Sequence, residues 1–117
     1  MNSRNFTRVN YTVGASISYG EEVVICTTDN LSLRGMYLKT MHELPLNMPV
    51  NVTVYNSDLP SLKVNALVVR REENGVGLQI SNLNVNSFVQ LREIIRENCN
   101  DRNVVLQETF KMLECIN

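Results

Sequence analysis

Residues 9–19 read VNYTVGASISY, and their alternation decides the class of fold. Val9, Tyr11, Val13, Ala15, Ile17 and Tyr19 fall on one side, and Asn10, Thr12, Gly14, Ser16 and Ser18 on the other. A period of two sustained over that length is a half-buried strand. Reading outward from it, Gly20 gives a turn and residues 23–26 form a short β-branched run, the next strand. Residues 29–35 are rich in turn formers and interrupt the pattern, which Met36, Tyr37 and Leu38 resume. Pro45 and Pro49 mark a connection, because proline cannot donate to a central ladder. Val50, Val52 and Val54 alternate again, as do Leu62, Val64, Ala66 and Val68 after a turn at 56–60. Glu73-Asn74-Gly75 is a tight-turn signal that makes a hairpin with Val76, Leu78 and Ile80.

Past residue 84 the period changes. Val85, Phe88, Leu91 and Ile95 recur at helical spacing, with Val89 and Ile94 widening the stripe, and Asn84 or Asn86 is placed to cap the helix. Residues 98–101 break it, and Asp101 caps a second helix in which Val105, Thr109, Met112 and Ile116 share a face. Val104, Leu106, Phe110 and Leu113 leave that helix apolar on more than one side, the expected contact for a protein partner or a homodimer. The expected architecture is mainly β: a small antiparallel barrel, which removes exposed sheet edges, followed by a C-terminal helix or helices. It is laid out as a single domain over 1–117, with an N-terminal arginine segment at 1–9, the barrel at 10–82 and helices at 84–116.

Composition narrows the function. With 117 residues, 20% charged residues and a net charge of −1, the chain lacks the basic excess of a DNA or RNA binder. An anionic ligand must therefore be small and met by a local group of arginines. Cys26, Cys99 and Cys115 are odd in number and form no CxxC, and His42 is the lone histidine, so no metal site and no cofactor are expected. Met1-Asn2-Ser3-Arg4 has no leader pattern and no apolar run approaches the ~20 residues that span a bilayer, so the expectation is a cytoplasmic protein without membrane insertion. No catalytic residues are assigned. There is no nucleophile elbow, HExxH or Walker loop, and the adjacent Glu72 and Glu73 point to opposite faces of a strand.

Two short elements carry the chemistry. Arg4 and Arg8 form RxxxR, which presents two guanidinium forks to one ligand, and such forks pair with phosphate oxygens or with guanine O6 and N7. Asn30, Ser32 and Gly35 form NxSxxG: an amide and a hydroxyl able to accept from a guanine edge, then a residue without a side chain where a flat base would approach. Arg34, inside this element, is a further candidate phosphate contact. Arg70 and Arg71 end a strand and point oppositely, so that one of them can face the ligand, but neither is assigned to the site.

RxxxR, one alternating strand, a short strand, NxSxxG and then strands including Gly75-Val76-Gly77-Leu78-Gln79-Ile80 resemble the PilZ domain family from Arg4 to about Ile95. Asn30 stands where many members carry Asp, and Ser3 where many carry another arginine. The resemblance implies a six-stranded barrel with a C-terminal helix, and binding of the bacterial second messenger cyclic di-GMP. It implies that Arg4 and Arg8 clamp phosphates and guanines, that Asn30 and Ser32 hydrogen-bond a guanine, and that Gly35 allows close approach. The implied role is a non-enzymatic sensor that changes conformation and signals to a protein partner. The alternative is a protein-interaction adaptor on the same fold that does not bind the nucleotide.

Overall fold

The computed structural model describes residues 6–56 and 61–117. Seven strands come first: β1 (Val9–Asn10), β2 (Gly14–Tyr19), β3 (Glu22–Leu31), β4 (Gly35–Lys39), β5 (Pro49–Val54), β6 (Leu62–Glu72) and β7 (Gly75–Asn82). Helices α1 (Val85–Glu97) and α2 (Arg102–Phe110) follow, with a 3-10 turn at Leu113–Cys115. The strands pair antiparallel in the order β1-β3-β2-β5-β6-β7-β4, and β3 also pairs with β4. That last pairing closes six strands into a barrel and leaves β1 as an outer strand beside the far end of β3.

The barrel is filled from all six strands: Ile17 from β2, Cys26 from β3, Leu38 from β4, Val52 from β5, Val64 from β6 and Leu78 from β7 are all buried. This is the inward half of each alternation, removed from water at roughly 25 cal/mol per Å² of apolar surface. Burial pushes the Cys26 thiol up to about 11, leaving it protonated at neutral pH. Helix α1 lies along β6, burying Phe88, Leu91, Ile94 and Ile95. Its N-cap is Asn84, whose side chain accepts from the Ser87 amide at 2.8 Å. Asp101 caps α2 by accepting from the Asn103 amide at 3.0 Å.

The single strand expected over 9–19 is divided in two. Thr28, buried without exposure on β3, takes the place of ladder bonds across the break at 11–13. Its hydroxyl donates to the Tyr11 carbonyl and accepts from the Val13 amide at 2.9 Å, while its amide donates to the Val13 carbonyl at 2.8 Å. Strand β3, expected to end near Cys26, continues to Leu31 because β1 and β4 flank its polar half and satisfy its backbone. Propensity does not anticipate that extension, since Asp29 and Asn30 are poor strand formers and read as the start of the turn at 29–35.

Two register shifts decide what faces the site. Val24, Cys26 and Thr28 point inward on β3, so strict alternation would bury Asn30 as well. A bulge between Thr28 and Asn30 reverses the phase, turning Leu31 inward and Asn30 outward. On β6 the inward series Leu62, Val64, Ala66, Val68 would continue to Arg70, but a second bulge between Val68 and Arg70 brings the arginine outside. Bulges of this kind insert one residue and re-aim the side chains beyond it.

Candidate functional site

The bulges assemble one row across five strands. Asn10 of β1 pairs with Asn30 of β3, Asn30 with Tyr37 of β4, Tyr37 with Gly77 of β7, and Gly77 with Arg70 of β6. Residues two along on β4 and β7 add Gly35, paired with Gln79. Tyr37, Gly77 and Arg70 of this row, with Gly35 and Gln79, line a cleft of about 340 Å³. Arg8, Arg34 and Arg70 rim it, with Ser32, Tyr37 and Gln79 between them.

Each cation is held in place. Arg8 Nη1 donates to Asn30 Oδ1 at 2.6 Å, and Asn30 Nδ2 donates in turn to Asp29 Oδ2 at 3.1 Å. Arg34 Nε donates to the Ile80 carbonyl at 3.0 Å, and the Ile80 amide returns a 2.6 Å bond to the Arg34 carbonyl. Arg70 reaches across Gly77 to lie over the Tyr37 ring, 5.3 Å from its centroid, while its Nε pairs with Glu72 at 3.2 Å. Gly77 makes that path possible, because a Cβ there would stand 3.3 Å from Arg70 Cβ. Tyr37 donates its hydroxyl to Glu72 at 2.8 Å. Loss of solvent, then the hydrogen bond to the Glu72 carboxylate, raise the phenol above its ordinary value.

Gly35 is required by the sheet itself. A Cβ at this position would meet the Leu78 carbonyl oxygen at 2.7 Å and Arg8 Nη2 at 3.5 Å. The missing side chain thus lets β4 approach β7 and leaves a flat floor beneath the Arg8 guanidinium. Ser32 is 2% exposed and shapes the turn 32–35. Its hydroxyl accepts from the Gly35 amide at 2.9 Å and the Arg34 amide at 3.2 Å, and donates to the Gly35 carbonyl at 3.2 Å.

Of the residues singled out in the sequence, Arg8, Asn30, Ser32, Arg34 and Gly35 gather at this one place. Arg4 lies outside the described residues. Arg70, Tyr37 and Gln79 were not assigned from sequence, and the β6 bulge is the reason for the first: alternation alone sends Arg70 into the core. Arg71 faces a separate groove with Met41, His42 and Glu43. Among the described residues no group of three or more His, Cys, Asp or Glu is placed to hold a metal. No helix there is long and apolar enough to cross a membrane.

A glycine-floored cleft rimmed by three arginines suits a flat, polar, anionic ligand. The family model of the PilZ domain matches residues 2–97. The chain belongs to the PilZ domain family. The barrel is similar to the PilZ domain of YcgR from Escherichia coli, solved with cyclic di-GMP, at 13% identity and a TM-score of 0.70, covering 97% of this chain and 98% of that one. It is also similar to the Bacillus subtilis inhibitor of motility MotI/DgrA, at 17% identity and a TM-score of 0.70, covering 87% of this chain and 54% of that one. The PilZ domain of CeSA from a cellulose-synthesizing bacterium is matched at 19% identity and a TM-score of 0.63, covering 79% of this chain and 94% of that one. No curated protein matched the chain. At these identities the structural likeness establishes the fold, a six-stranded PilZ barrel with one outer strand and two C-terminal helices. The family match stops before α2, which begins at Arg102.

Proposed function

We propose that this PilZ domain is a non-enzymatic sensor that binds cyclic di-GMP in the cleft above Gly35 and Gly77 and passes its occupancy to a protein partner. The observation that carries the reading is the convergence of Arg8, Arg34 and Arg70 around a floor that includes Gly35 and Gly77. Cyclic di-GMP carries two phosphate charges and two guanines, and guanidinium forks match both the phosphate oxygens and the guanine O6/N7 edge. Three clustered arginines on a chain of net charge −1 give a local field rather than a general affinity for polyanions. Asn30 supplies an uncharged acceptor, so its bonds to guanine are weaker than those of an acid. The cation over Tyr37 adds a face on which a base can stack.

Titration calorimetry with cyclic di-GMP, using GTP as the control, tests this. The expected result is saturable binding of cyclic di-GMP with GTP at least tenfold weaker, and a ligand that binds the native state also raises its melting temperature. Equal heats for the two nucleotides, or none, would refute the reading. The ligand-free adaptor alternative draws its support from Leu106, Phe110 and Leu113, exposed on and just after α2, and it predicts no heat with either nucleotide.

A further inference from the structure

Glu108 is a buried carboxylate with no part in the cleft. It sits on α2, outside the segment matched by the family model, and is 5% exposed. Its partner lies 101 residues away: Glu108 Oε1 and Oε2 accept from the Thr7 amide at 2.9 and 3.0 Å, and Oε2 accepts from the Thr7 hydroxyl at 2.7 Å. One turn further along, Lys111 Nζ stands 5.6 Å from the centroid of the Phe6 ring, which packs against the core. Thr7 is the residue before Arg8, and Val9, the residue after it, is fixed by its pairing with Leu31. The arginine is therefore anchored on both sides, by α2 and by β3.

We propose that Glu108 is a positioning residue for the nucleotide site: by gripping Thr7 it holds Arg8 over Gly35, and through the same bonds it couples α2 to occupancy of the cleft. This rests on the cyclic di-GMP reading. Three bonds from the backbone and side chain of one residue to one carboxyl group fix that residue, and burial shields them from water. Fixing the backbone before the ligand arrives removes an ordering cost from binding. Coupling is reciprocal, so a ligand that holds Arg8 must also tighten α2.

The test uses the full chain with Glu108→Gln, which keeps the side-chain volume, and Thr7→Val, which removes only the hydroxyl and leaves α2 intact. Without ligand, hydrogen exchange at the Thr7 amide should quicken by about tenfold in Glu108→Gln. Calorimetry should show cyclic di-GMP binding weakened about tenfold in Glu108→Gln, and by a smaller factor in Thr7→Val. Saturating cyclic di-GMP should slow exchange over residues 105–109 in the wild type and do so less in Glu108→Gln, a response that a purely structural role would not give. Wild-type affinity in both variants, or α2 exchange indifferent to ligand, would overturn the proposal. If the wild type does not bind at all, the cyclic di-GMP reading falls. Unchanged Thr7 exchange in Glu108→Gln would separately show that Glu108 does not hold the segment.

Discussion

Arg8→Ala should weaken cyclic di-GMP binding by about 1–3 kcal/mol, roughly 5- to 150-fold, while leaving the fold at wild-type stability. The side chain is exposed, so its removal opens no cavity in the core. What is lost is a fork on the rim of the cleft: Nη1 sits 2.6 Å from Asn30 Oδ1, and Nη2 would stand 3.5 Å from a Cβ at Gly35. Because Asn30 and the anchors at Thr7 and Val9 hold this geometry before the ligand arrives, little ordering cost offsets the contact. Arg8→Lys should recover only part of the loss, since a point charge cannot make the paired bonds of a planar fork. Calorimetry at constant salt reads both variants, and equal affinity for Arg8→Ala and wild type would remove Arg8 from the site.

Gly35→Ala should strike stability and binding together. The added methyl would lie 2.7 Å from the Leu78 carbonyl oxygen, and a backbone atom inside a closed barrel cannot step aside as a side-chain end can. Forcing β4 away from β7 should cost about 1–3 kcal/mol by urea denaturation, the range for overpacked interiors. The same methyl would stand 3.5 Å from Arg8 Nη2 and raise the floor under the ligand. Gly14→Ala is the matched control. No atom lies within 4 Å of a Cβ at Gly14, so that substitution should be neutral or stabilise by up to about 1 kcal/mol through the unfolded chain. If Gly35→Ala is as stable as Gly14→Ala, the close approach of β4 and β7 is not what the glycine serves.

These residues also show where sequence reading succeeds and where it stops. Alternation identifies the strands because the inward side chains of a closed barrel are mostly apolar, as in Val50, Val52 and Val54. Asn84 and Asp101 are legible as caps because capping is local chemistry. The NxSxxG element is visible because Ser32 and Gly35 bond to each other within four residues. Which of Arg70 and Arg71 faces the site, and its meeting with Tyr37, are not visible. Arg70 and Tyr37 meet only through a ladder that joins β6, β7 and β4, after a bulge has reversed the phase of β6. The Thr7–Glu108 contact joins the two ends of the chain and has no local signature at all.

The most direct test of the central claim is a cyclic di-GMP titration followed by amide chemical shifts. The nucleotide should move the Gly35 and Gly77 amides, the turn 32–34 and Arg70 most, and leave the far wall at Val52 and Val64 unmoved. Shifts centred on the groove around Arg71 and His42, or no shifts at saturating nucleotide, would contradict the cleft above Gly35 and Gly77 as the binding site.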